Sequence, residues 1–93
     1  MIWELVDSSD DEVYHTLGFW LDKADAIAAA SADSPERLGM DADSYAAVEV
    51  REHRIGFTGG RSGKIVFSRK WAQELNEPAD EWEWRITETE VKP

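Results

Sequence analysis

Ile65-Val66-Phe67-Ser68-Arg69-Lys70-Trp71 and Glu81-Trp82-Glu83-Trp84-Arg85-Ile86, separated by Asn76-Glu77-Pro78-Ala79-Asp80, are the segments whose reading decides the fold. In the second segment the apolar residues Trp82, Trp84 and Ile86 alternate with Glu81, Glu83 and Arg85, which is the period of a strand with one apolar face. In the first, Ile65, Phe67 and Trp71 share a face. Asn, Pro and Asp between them supply turn chemistry, so the two strands form an antiparallel hairpin. For Phe67 and Trp71 to share a face with Trp82 and Ile86, the numbers of paired residues must sum to an odd value, because a one-residue slip inverts every side chain. Sums of 153, 155 and 157 all satisfy that parity. The first sets Trp71 opposite Trp82, the second sets Lys70 against Arg85, and the third sets Trp71 opposite Ile86 and Arg69 opposite Glu88. This apolar face is expected to lie under a helix, with Trp84 buried and its replacement by Ala costing about 3–5 kcal/mol.

Upstream, the glycine-rich run Thr58-Gly59-Gly60-Arg61-Ser62-Gly63 reads as a further hairpin turn. Before it, Ala46, Val48 and Val50 alternate with Tyr45, Ala47, Glu49 and Arg51, a strand that reaches Ile55 and Phe57 if a bulge or bend intervenes near Gly56. Residues 2–7 form a first strand, and the polar run Ser8 to Glu12 a turn. Val13, His15, Leu17 and Phe19 then share one face of a second strand, with Tyr14, Thr16, Gly18 and Trp20 on the other. Asp22 fits a helix N-cap, and the Ala-rich run through Ala32 favours helix. Its core face is expected to comprise Ala24, Ala28 and Ser31 or Ala30, with Ile27 its one large aliphatic residue. Pro35 opens a further helical turn that Gly39 ends. The order is ββαβββ: an α+β domain with a mostly antiparallel five-stranded sheet and one helix packed on a face.

The chain has 93 residues, a net charge of −10 and no cysteine. Its length fits one small domain, and five Trp, three Phe and two Tyr give it the bulk for a core. A content of 42% hydrophobic residues separates it from disordered acidic chains. Absence of cysteine removes disulfides, thiol nucleophiles and thiolate zinc sites, and makes the cytoplasm the expected compartment. The first residues, Met1 to Asp7, turn acidic at once and do not read as a signal peptide, and no stretch reads as a membrane span.

Charge is uneven along the chain: residues 1–46 carry a net −9, residues 51–70 a net +5 and residues 74–90 a net −6. The basic island holds Arg51, Arg54, Arg61, Lys64, Arg69 and Lys70. With Trp20, Trp71, Trp82 and Trp84 as stacking partners it suggests a nucleic-acid face. The overall −10, however, repels a polyanion across a screening length of about 8 Å, so direct nucleic-acid binding is not the favoured reading.

Catalytic and cofactor motifs are weak. The stretch Thr58 to Ile65 departs from a phosphate-binding loop at both ends, where Thr58 replaces the first glycine and Ile65 the Mg²⁺-binding hydroxyl. Asp7, Ser9 and Asp11 have the oxygen spacing of a calcium loop, but Glu12 stands where glycine is required. His15 and His53 lie in no metal motif and read as satisfied or exposed histidines. The expectation is a protein without cofactor or metal that is not an enzyme; a small enzyme subunit or accessory protein is the alternative, along with nucleic-acid binding through residues 51–70.

Acid clusters are the remaining lead. Asp7, Asp10, Asp11 and Glu12 surround one turn, and Glu77, Asp80, Glu81 and Glu83 another. By size scaling the surface averages one net negative charge per about 550 Å², several-fold sparser than duplex DNA, so only clustering lets such a domain imitate a phosphate array. In size, charge and lack of cysteine the chain is similar to small acidic proteins that phages carry against host defence, including anti-CRISPR and anti-restriction proteins. That likeness is one of composition. It carries over no residue; the clustering itself makes a basic, nucleic-acid-binding protein the expected partner, with these eight acids as the expected contact residues.

Overall fold

A computed structural model of the protein describes residues 1–10, 12–54 and 63–91. The strands are β1 (Ile2–Asp7), β2 (His15–Trp20), β3 (Tyr45–His53), β4 (Lys64–Asn76) and β5 (Glu81–Glu90), and one helix, α1 (Lys23–Ala30), follows β2. A 3-10 turn, Pro35–Leu38, precedes β3, with Pro at its start and Gly39 ending it at φ 74° in the left-handed region. The strands make one open antiparallel sheet in the order β2-β1-β3-β4-β5, and the expected α+β architecture is present. Ile55, Phe57 and Thr58 to Ser62, and with them most of the expected glycine-rich turn, lie outside the described residues, as do Asp11 and Arg61.

The helix begins where its cap chemistry dictates: the Asp22 carboxylate accepts from the backbone N–H groups of Ala24 and Asp25. It ends two residues before Ala32, whose carbonyl is claimed by the sheet instead, accepting from Trp71 Nε1 at 3.0 Å and from Arg69 Nη2 at 2.6 Å. That anchorage rotates the helix relative to expectation. Ala26 and Ala30 are buried, with Ile27 half-buried, whereas Ala24 and Ala28 are exposed. Under them lie Leu5, Val48, Val50, Val66, Phe67 and Trp71, all buried in one cluster with Ala46 and Met40.

Two β-bulges change which residues share a face. In β1–β2 the register shifts between Leu5 and Val6, so Thr16 pairs with Val6 but Gly18 with Leu5. Thr16 and Gly18 therefore point to opposite faces, contrary to simple alternation. In β3–β4 the shift between Val50 and Arg51 makes Val66 the extra residue, turning it into the core and Ile65 to the other face. The expected grouping of Ile65 with Phe67 is corrected accordingly.

The β4–β5 hairpin takes the sum of 157, with Trp71 opposite Ile86 and Arg69 opposite Glu88. The parity is as expected. Only this register ion-pairs the buried Arg69 guanidinium with the Glu88 carboxylate across the ladder, and its four-residue loop 77–80 has Asp80 at φ 51°, a conformation Asp tolerates better than most residues. Burial is not as expected. Trp82 is 67% exposed, Ile86 41%, and Trp84 half-buried. The cause is size: an eight-residue helix is about 12 Å long and packs chiefly over β1 and β3, near the middle of the sheet, so the β5 edge extends past its cover.

Candidate partner-binding surface

Strand direction decides where the two acidic turns lie. With every neighbour antiparallel, β1 and β4 run the same way, so the β1–β2 turn and the β4–β5 turn emerge at one end of the sheet. The start of β3 lies at that end too, and brings Asp41 and Asp43 with it. Midlines of the two hairpins are three strand spacings apart, about 14 Å. The β4–β5 hairpin projects furthest: Ala72 is its last residue paired with β3, and Asn76 stands four residues beyond it, about 13 Å.

Of the eight expected contact residues, seven are described. Asp10, Glu12, Glu77, Asp80, Glu81 and Glu83 are exposed, and Asp7 is half-buried. Asp7 and Asp10 order their own turn. Asp7 Oδ1 accepts from Ser9 N at 3.0 Å and Ser9 Oγ at 2.7 Å, and Asp10 Oδ1 accepts from Glu12 N at 2.9 Å. Asp7 thus forms its own turn.

The projecting hairpin places Glu74 directly opposite Glu83. Like charges across a pair cost roughly 0.2–1 kcal/mol, relieved in part by Asn76 Nδ2, which donates to Glu83 Oε1 at 2.9 Å, and by the exposed Arg85, 3.9 Å from Glu74. Packing does not require this pair, since both side chains are solvent-facing. Glu83→Gln is accordingly expected to raise stability by a few tenths of a kcal/mol, about 0.2–0.5, read as a higher urea midpoint at unchanged slope.

Sequence alternation hid one member of this surface. Trp82 looks like core from its period, yet stands at the acidic end opposite the 38%-exposed Leu75. It lines, with Asp43, Ser44 and Gln73, an open cavity of about 350 Å³. The Gln73 Oε1 atom is buried without a hydrogen-bond partner among the described residues. The signal available in the sequence was the distance of Trp82 from the helix along the chain's longest hairpin.

The basic island is dispersed by the fold. Arg69 is buried on the helix side, bonded to Ala32 O and Glu88, with its guanidinium 5.5 Å from the Trp71 ring. Burial pushes its pKa below the ordinary arginine value, and the nearby Asp33 carboxylate pulls it partly back. Arg51 is held by Glu49 at 2.8 Å. Arg54 and Lys64 are exposed at the end of the sheet opposite the acidic turns. Trp71 is fully buried and Trp20 half-buried on the helix side, so the four tryptophans do not form one platform.

On the sheet's other face, His53 Nε2 lies 2.8 Å from the buried Glu4 carboxylate, which also accepts from Thr16 Oγ1. This is a satisfied histidine, and Gly63 packs so closely on its ring that a Cβ there would collide with it. Among the described residues, no group of three or more His, Asp or Glu side chains is placed to hold a metal ion, and no helix is long and apolar enough to cross a membrane. No family model matches the chain, and no curated protein or solved structure is significantly similar to it.

Proposed function

We propose that this domain is a non-catalytic binding module that docks its acidic end on a basic, nucleic-acid-binding protein, in the manner of a phage-type inhibitor. The observation that carries this reading is the convergence of both acidic turns at one end of the sheet, where Trp82 is also exposed. Averaged over the 6177 Å² surface, ten net charges are sparse, about one per 600 Å², and only such convergence makes a field that a cationic groove would read. Charge complementarity accelerates encounter and selects the partner, while an exposed aromatic residue supplies the lasting contact. The like-charge pair Glu74 and Glu83 fits the same account, because stability is given up where the surface gains field.

The test is capture of partners by the tagged chain, at low and high salt, against a form with Asp10→Asn, Asp11→Asn, Glu81→Gln and Glu83→Gln. The native chain is expected to recover basic nucleic-acid-handling proteins, with an association rate that falls steeply as salt shortens the screening length from about 10 Å at 0.1 M. Recovery of the same proteins by the neutralised form would overturn the reading. Direct retardation of oligonucleotides by the native chain would replace it with nucleic-acid binding.

A further inference from the structure

The outer edge of β5 is ten residues long and has no register shift, whereas the opposite edge, β2, has six residues and a bulge. Among the described residues nothing pairs with the outward hydrogen-bonding groups of β5, and these can be assigned. Val91 N–H donates to Val66 O at 2.9 Å, so Val91 faces β4. With an unbroken antiparallel register the bonding direction alternates, and the odd-numbered residues from Glu81 to Thr89 face β4 as well. Gln73, opposite Trp84, confirms the phase by sending its N–H the other way, to Ser44 O at 2.9 Å. The N–H and C=O groups of Trp82, Trp84, Ile86, Glu88 and Glu90 therefore point outward. Their side chains share the helix-side face, apolar from Trp82 to Ile86, while Glu81 and Glu83 stand on the other face beside the acidic tip.

We propose that this edge adds a strand: it takes an extended segment of a partner in which basic and apolar residues alternate. The inference rests on the docking reading above and names the contact through which it would act. Main-chain bonds to the five outward residues supply affinity without regard to sequence. Specificity comes from the two faces. Residues of the incoming strand beside Trp82, Trp84 and Ile86 must be apolar, and those beside Glu81 and Glu83 must be cationic. A second copy of this chain is the poorer occupant. Each edge carries Glu81, Glu83, Glu88 and Glu90 against Arg85 alone, and the register that sets Arg85 against the other copy's Glu83 also sets Asp80 against the other copy's Glu88. Acid side chains on a free edge oppose self-pairing and leave a basic strand as the fitting partner.

The probe is a blocked heptapeptide of alternating lysine and valine, titrated into the full chain and followed by amide hydrogen exchange. At saturation, exchange at Trp82, Trp84, Ile86 and Glu88 is expected to slow about tenfold or more, while Glu83, Arg85 and Thr87, already bonded to β4, stay unchanged. A glutamate–valine peptide should give no protection. Ile86→Pro removes an outward donor and spares the β4 ladder, as proline on an edge strand permits, and should weaken peptide binding about tenfold with the far-ultraviolet spectrum retained. Should that variant unfold, Glu81→Gln with Glu83→Gln gives the same comparison through the loss of cation preference. Protection on β2, protection without odd–even alternation, or equal protection by the acidic peptide would overturn the proposal. So would protection of the same amides without peptide that grows with protein concentration, which would make the occupant a second copy. If a folded Ile86→Pro chain fails to bind peptide yet still captures the basic protein, edge pairing falls and the docking reading stands. If peptide protects the edge but the native chain captures no such protein, the docking reading falls and edge pairing stands.

Discussion

Trp71→Ala is expected to remove a major part of the protein's folding stability, a larger loss than Trp84→Ala or Arg69→Ala. Trp71 is fully buried on β4, between the central strand β3 and the β5 edge, with Ala46 and Ile86 opposite it in its ladders, and its indole N–H is one of two donors to Ala32 O. Truncation leaves a cavity the size of an indole, lined by residues that belong to three elements and cannot all move in, and it removes a buried hydrogen bond. A buried Trp→Ala change costs about 3–5 kcal/mol. A domain of this length has a total stability of about 5–14 kcal/mol, so the loss is a major part of it. The measurement is urea unfolding followed by far-ultraviolet circular dichroism, with Trp84→Ala alongside. Trp84, half-buried at the edge of the same cluster, should lose distinctly less than the roughly 3–5 kcal/mol expected if it were fully buried. Equal midpoints for the two variants would refute the assignment of the core to the middle of the sheet.

The second large effect is expected at Arg69, the one basic residue among the described residues that is buried. Its guanidinium ties three parts of the chain: β4, the segment after α1 through Ala32 O, and β5 through Glu88. Arg69→Ala removes both connections, to Ala32 O and to Glu88, and the packing of the aliphatic stem. The ion pair accounts for little of the loss, since the Glu88 side chain is 44% exposed and regains water. The charged hydrogen bond to the Ala32 carbonyl and the stem dominate, about 2–3 kcal/mol together. Arg69→Met, which keeps the stem, should recover part of this, helped by relief of the buried Nε, which has no hydrogen-bond partner. Thermal unfolding of the pair separates the contributions, and a loss below about 1 kcal/mol for Arg69→Ala would show that helix α1 is held by apolar packing alone.

Local chemistry made much of the fold legible. Alternation placed the later four strands, because a period of two is set by the pleat itself and survives without tertiary information. The Asp22 cap, the Pro35 start and the Gly39 stop were equally readable, since each is decided by a side chain or a φ angle within one turn. Hairpin parity followed from the faces of Trp71 and Trp82, and the two acidic turns from their composition.

What escaped the sequence has a common cause, the need for two distant segments to meet. Five of the helix's eight residues are alanine and Ile27 is its one large aliphatic residue, so no apolar stripe fixes its rotation; Arg69 and Trp71 fix it by holding Ala32, some forty residues away. Bulges at Leu17 and Val66 invert faces because each depends on a partner strand, and neither Leu nor Val signals one. Register 157 was one of three allowed sums until Arg69 turned inward to meet Glu88. Trp82 and Ile86 have the alternation of core residues, yet period reports only that residues share a face. Whether a face is covered depends on how far one short helix reaches across five strands, and here it stops before β5, leaving an apolar, acid-flanked edge in solvent.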